Sequence, residues 1–163
     1  MSAPILTIQH EFMNPFASVY FSTSTGVAIV APKHKNQDGI GYEQETVCVL
    51  PAEHSADDLG EALKRALSSF SEKPCDLRLM KKTDWPAFRA SGLSSVAQFE
   101  REFTRISVEY LNSSGAVARA SIELNDDSGT GVYCLFNPRL PGRTIGGKLT
   151  ALLRTFAAAS RAE

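Results

Sequence analysis

Val47–Phe70 reads VCVLPAEHSADDLGEALKRALSSF, and Tyr133–Phe156 reads YCLFNPRLPGRTIGGKLTALLRTF. At an offset of 86 residues, Cys48, Gly60, Leu63, Leu67 and Phe70 fall on Cys134, Gly146, Leu149, Leu153 and Phe156, with Leu59 meeting Ile145. Each stretch is an apolar strand, a loop and an amphipathic helix. A unit that repeats in this way carries packing rather than chemistry, because it holds no nucleophile, base or metal-ligand set. The fold is therefore read outward from these two units.

Upstream of each unit lies a hairpin pattern. Phe16–Ser22 and Gly26–Ala31 are rich in strand-forming residues and flank Thr23-Ser24-Thr25-Gly26, a turn sequence. Arg105–Leu111 and Ala116–Leu124 flank Asn112-Ser113-Ser114-Gly115 in the same manner. Val19, Ser24 and Gly26 correspond to Val108, Ser113 and Gly115 at an offset of 89 residues. Ile106, Val108 and Tyr110 alternate as in a strand with one face covered. Pro32 is expected to end the first pairing, leaving Lys33–Gln44 as a polar, mobile loop. Val47–Leu50 is continuous and apolar, the pattern of a central buried strand. Ile5–Gln9 reads as a further short strand, Asn125–Gly131 as a polar turn and Val132–Phe136 as the counterpart of the strand at Val47.

Ser55–Phe70 is the best-specified helix. Ser55 serves as N-cap with Asp58 three residues on, an acidic capping box, and Asp57 and Asp58 suit the positive end of the helix dipole. Leu59, Ala62, Leu63, Ala66, Leu67 and Phe70 form one stripe at helical spacing, and Glu61 is placed to pair with Arg65. The second long helix is Ile145–Ala159, with Ile145, Leu149, Leu152, Leu153 and Phe156 inward. Between the halves, Pro74–Phe103 does not repeat. It predicts a short helix capped by Thr83 or Asp84 and stopped at Gly92, then a second over Ser95–Phe103 capped by Ser94 or Ser95. The fold class expected is α+β: a mainly antiparallel sheet carrying helices, built from two similar hairpin–strand–helix units as a single domain over residues 1–163.

Composition narrows the function classes. The formal net charge is −1, with 43% apolar and 21% charged residues, so no basic field argues for general nucleic-acid binding. No apolar run is long enough to span a bilayer, and the N-terminus lacks the pattern of a secretory signal. Three widely spaced cysteines read as reduced thiols of a cytoplasmic protein. Cys48 and Cys134, within apolar strands, read as inert buried thiols rather than a redox pair. His10, His34 and His54 have no ligand spacing to one another or to a cysteine. Gly142–Lys148 meets the pattern G-x-x-x-x-G-K, yet the next residue is Leu149 where a phosphate-binding loop needs Ser or Thr. No catalytic constellation emerges, which tilts the reading toward a binding protein.

The sequence as a whole resembles the immunity proteins of contact-dependent growth inhibition systems of Gram-negative bacteria. Three stretches carry the resemblance: Leu50-Pro51 with Ser55–Gly60 and the Ala62–Leu67 stripe; Leu79-Met80 and the segment through Phe99 into the hairpin with Gly115; and Ile145-Gly146 through Leu153. The resemblance implies a cytoplasmic inhibitor that forms a heterodimer with the C-terminal toxin domain of its own system's effector, often a nuclease. Inhibition would come from occluding the toxin's active site or substrate surface. It implies no cofactor, metal, membrane, direct nucleic-acid contact or small-molecule substrate. Nuclease toxins tend to be basic, so the acidic patches are the expected toxin-binding residues: Asp38, Tyr42, Glu43, Glu45, Glu123, Asp126 and Asp127. The alternatives are a small nucleotide- or phosphate-binding protein or enzyme using the Gly142–Lys148 loop, and a secretion chaperone or adaptor.

Overall fold

The computed structural model describes residues 14–121 and 131–160. The expected strand at Ile5–Gln9 and most of the turn at Asn125–Gly131 lie outside them. The described chain runs β1 (Phe16–Ser22), β2 (Ala28–Lys35), β3 (Gly41–Glu43), β4 (Cys48–Leu50), α1 (Ala56–Ser68) and β5 (Ser71–Glu72). Two 3-10 turns, Leu77–Leu79 and Lys82–Asp84, lead to α2 (Pro86–Ser91) and α3 (Val96–Glu102). The chain then forms β6 (Phe103–Asn112), β7 (Gly115–Ser121), β8 (Gly131–Phe136) and α4 (Gly142–Ala159). The class is α+β, as expected: an eight-stranded sheet, antiparallel except where β5 runs parallel to β2.

The main strand order is β3-β2-β1-β6-β7-β8, with β4 also on β2. Read from the middle outward, this order is the repeat made visible. β1, β2, β4 and α1 on one side correspond to β6, β7, β8 and α4 on the other. The antiparallel pair β1–β6 joins the halves in the register Ala17↔Val108, Ser18↔Ser107, Val19↔Ile106. The offset of 89 residues maps Ala17 on Ile106, Ser18 on Ser107 and Val19 on Val108. The pairing is therefore its own image under a pseudo-twofold axis through Ser18 and Ser107. Cys48 (paired with Val30) and Cys134 (paired with Ala118) end up at opposite sides of the sheet. Five strand spacings of ~4.8 Å put them about 24 Å apart, which excludes a disulfide between them.

Both long helices lie on one sheet face and pack along each other. A Cβ added to Gly60 would fall on the Gly142 carbonyl, and one added to Gly146 on the Ala56 carbonyl, closer than real Cβ contacts come. The offset that maps Gly60 on Gly146 also maps Ala56 on Gly142. These are one helix–helix contact made twice about the axis, and glycine is needed because backbone meets backbone. Leu59, Leu63, Ile145 and Leu149, all 0–1% exposed, fill the space between helices and sheet. Truncating any of them to alanine would cost about 2–5 kcal/mol.

Local signals explain most element bounds. The Ser55 hydroxyl accepts from Asp58 N (3.1 Å) and the Asp58 carboxylate accepts from Ser55 N (2.9 Å), closing the capping box that starts α1. Gly92, at φ 70°, ends α2 in the left-handed conformation, and the Ser95 hydroxyl caps α3 by accepting from Gln98 N. The cap of α2 is Trp85 rather than Thr83 or Asp84, because Pro86 occupies the first helical position and has no N–H to satisfy. Glu61 pairs with Lys64 (3.1 Å), not Arg65.

Three expectations fail in the first half. Pro32 does not end β2. Its carbonyl accepts from Gln44 N at 2.8 Å, so its nitrogen faces that side too, and the ladder to β1 loses no donor. Lys33–Gln44 is correspondingly a hairpin rather than a loop, with Lys33↔Glu43 and His34↔Tyr42 paired. Buried Asn36 ties its tip by accepting from Asp38 N and Ile40 N and donating to the Cys75 carbonyl. The strand at Val47 is short and paired only to β2, with Val49 49% exposed. It is an edge, which an apolar run alone does not distinguish from a centre.

Candidate binding surface

The second sheet face is where the halves diverge. Over β1 and β2 it is covered by the segment that does not repeat. Phe99 lies under α3 against Tyr20 (ring centroids 5.3 Å), Trp85 (5.0 Å), Phe88 (6.0 Å) and Phe103 (4.8 Å), with Ile29, Ala31 and Ala87 buried beside them. This satellite core is pinned by one carboxylate. Glu43, 8% exposed, accepts from the Tyr20 hydroxyl (2.5 Å) and from Ala87 N (3.0 Å). Burial first, and then the Glu43 charge, push the Tyr20 phenol far above its ordinary range.

Over β6, β7 and β8 no described element covers the same face. Strand alternation sends Arg105, Ser107 and Glu109 of β6, Arg119 of β7, and Tyr133 and Leu135 of β8 to it, because Ile106, Val108, Ala118 and Ala120 face the helices. Arg119 pairs directly with Tyr133, and Val117 with Leu135. Tyr133 and Leu135 are 68% and 60% exposed. Two connected hollows, of about 480 Å³ and 550 Å³, share Arg105, Ser107 and Arg119. Lys33 and Lys35 reach the first from the end of β2, and Trp85 and Phe99 form the covered rim of the second. Lys33 is pushed down to about 8 by burial first and then by the neighbouring Arg105 cation, partly offset by Glu43. Among the described residues, none of Lys33, Lys35, Arg105 and Arg119 is in an ion pair with a carboxylate. The character of this face is cationic and hydrogen-bonding, with an aromatic and aliphatic margin.

Among the described residues, the acids expected to bind a partner, Asp38, Glu43 and Glu45, are each engaged locally. Glu43 is spent on the satellite core and is not a surface acid. Exposed Glu45 is paired with Arg89 of α2. The Tyr42 hydroxyl donates to the Lys73 carbonyl, and Asp38 stands at the hairpin tip beside Asn36. Glu123, Asp126 and Asp127 lie outside the described residues. The cations of the open face were missed, although the polar positions between Ile106, Val108 and Tyr110 carried the signal.

The remaining chemical candidates are accounted for locally. His34 Nδ1 contacts the Ser71 hydroxyl (2.9 Å) and His54 Nδ1 the Pro51 carbonyl (2.6 Å). Cys48 and Cys134 are half-buried rather than buried, and burial raises the Cys134 thiol above its ordinary range. Among the described residues, no three His, Cys, Asp or Glu side chains come together as a metal site, and no helix is long and apolar enough to cross a membrane. The Gly142–Lys148 loop packs on α1. Its Gly142 lies against the Glu61 carboxylate, and Ile145 and Leu149 point into the core, an arrangement that would set an anion against an anion.

No known protein family's profile matches the chain, and no curated protein matches it by sequence. Its fold, however, is similar to solved structures over nearly the whole length. A Neisseria meningitidis protein of unknown function matches with a TM-score of 0.68 at 12% identity, covering 95% of this chain and 99% of that one. A chain of a CdiA-CT/CdiI toxin and immunity complex from Yersinia pseudotuberculosis matches with a TM-score of 0.59 at 13% identity, covering 86% of this chain and 96% of that one.

Proposed function

We propose that this chain is an immunity protein, a binding protein without catalytic activity that neutralises the toxin domain of a contact-dependent growth inhibition system. The observation that carries the reading is the fold likeness to a chain of a toxin and immunity complex, which extends over most of both chains. Two further features support it. The repeated core accounts for Gly142, Gly146 and the two strand cysteines, which otherwise invite a phosphate-loop or redox reading. The open, unpaired polar face offers a surface for a partner rather than a closed pocket for a small substrate. Inhibition in this reading is by occlusion of the toxin's active site or substrate surface in a one-to-one complex.

The test is co-expression with the toxin domain encoded beside this chain, followed by size exclusion and a growth assay. A single one-to-one peak and restored growth are expected. Two separate peaks with no rescue would overturn the reading.

A further inference from the structure

We infer that the open half of the second sheet face, framed by Lys33, Lys35, Arg105 and Arg119, is the surface that takes the toxin, and that it does so through an acidic segment of the toxin. The inference rests on the immunity reading above and gives it a location and a chemistry, opposite in sign to the acidic patches that the family resemblance brought forward.

Three observations carry it. The first is charge. The cations are gathered from three strands onto one face, and none of the four is neutralised by an ion pair among the described residues. Arg105 stands close enough to Lys33 to disfavour the lysine's charge, so a carboxylate placed between them relieves a repulsion as well as forming charge-assisted hydrogen bonds. The second is composition. Arg119 sits in register with Tyr133, beside Leu135, and arginine with an exposed aromatic and aliphatic neighbour is the residue set that concentrates binding energy at protein interfaces. The third separates a polypeptide from a nucleic acid. Glu109 lines the same hollow as the cations, and Glu100 lies on the rim of the next. A continuous phosphate backbone would meet both. A polypeptide can place its carboxylates on Arg105 and Arg119 and a cation or amide on Glu109.

The experiment uses the full chain and the toxin domain encoded beside it. Arg105→Glu with Arg119→Glu is compared with the equal charge change on the helix face, Arg65→Glu with Arg154→Glu. Arg105→Ala with Arg119→Ala serves as a milder variant, and circular dichroism confirms that all fold. The reversal on the open face is expected to weaken the complex by about 100-fold, the alanines by about 10-fold, with loss of salt dependence, while the helix-face reversal leaves affinity unchanged. If wild type forms no complex, the immunity reading falls and takes this surface with it. If wild type binds and the open-face reversal binds equally well, or the helix-face reversal weakens binding as much, the surface is wrong and the immunity reading stands. If labelled oligothymidine binds wild type but not the open-face reversal, while toxin affinity is unchanged, the face belongs to a nucleic acid and the inference is overturned.

Discussion

The two halves of the sheet are alike on the face that meets the helices and unlike on the other. Under α1 and α4 the axis through Ser18 and Ser107 relates apolar side chains to apolar counterparts, among them Val19 to Val108, Ala28 to Ala116, Leu59 to Ile145 and Leu63 to Leu149. On the opposite face the relation breaks. Ala31 of β2, fully buried beneath the insert, corresponds at an offset of 88 residues to Arg119 of β7, which is exposed. Tyr20, buried in the satellite core, corresponds at an offset of 89 residues to Glu109, which lines the open hollow. The duplicated positions hold the frame, and among the described residues the second half lacks the cover that the first half has.

The frame breaks most sharply at the helix crossing. Gly146→Ala drives a methyl into the Ala56 carbonyl, which only a movement of α4 away from α1 relieves. The expected loss is about 3 kcal/mol or more, read as a fall in Tm of about 6–12 °C. The adjacent Gly147 is exposed, with nothing within 4 Å of an added Cβ. There the same substitution should stabilise by about 0.5–1 kcal/mol through helix propensity alone. Opposite signs at neighbouring glycines of one helix would establish the twofold crossing. Equal effects would remove it.

The buried carboxylate that ties the cover to the sheet is Glu43, while Glu45 holds Arg89 and Glu102 holds Ser22 at its exposed edges. Glu43→Ala leaves the Tyr20 hydroxyl and Ala87 N buried without an acceptor, at a cost of about 2–3 kcal/mol by urea denaturation. Glu43→Gln keeps an acceptor for one of them and should cost less. If the insert is only a lid over β1 and β2, near-ultraviolet signals from Trp85 should change in both variants while the α1–α4 helical signal persists.

How much of this was legible in the sequence depended on whether the deciding partner was local. The capping box Ser55/Asp58, the stop at Gly92 and the apolar stripe of α1 are written within a few residues, and the structure follows them. The offset of 86 residues made the pseudo-symmetry readable, including the pairing of Gly60 with Gly146. Pro32, Val49 and Glu43 were misread for one shared reason. Whether a proline's missing donor matters, whether an apolar strand is central, and whether an acid is exposed all depend on what lies across the sheet or above it. Acidic side chains at Glu43 and Glu45 looked like a surface patch because Tyr20, Ala87 and Arg89, which engage them, are distant in the chain. The cations of the open face come from positions 33, 35, 105 and 119, and only the register of β1, β2, β6 and β7 brings them together.

The smallest effect concerns the boundary between cover and open face, where Lys33 stands. Burial and Arg105 lower its pKa to about 8, so between about pH 8 and 10 the folded chain has released a proton that the unfolded chain, near the ordinary lysine value, still holds. The unfolded state binds more protons in that window, so stability rises with pH there, and below it both states are protonated and the penalty is constant. Glu43 and Arg105 are the charged groups that face it, the first favouring its charge and the second opposing it. Above about pH 10 ionisation of unfolded-state tyrosines opposes the trend, since Tyr20 resists ionisation when folded. Lys33→Met keeps the apolar stem and removes the charge. The variant should be more stable than wild type at pH 7, and its stability should not rise from pH 8 to 10 in urea titrations. Toxin binding should weaken modestly, because one of four cations is gone while Arg105 and Arg119 remain. A variant less stable at pH 7 would mean that Lys33 is held by Glu43 as part of the cover, and the boundary of the open face would move to Arg105.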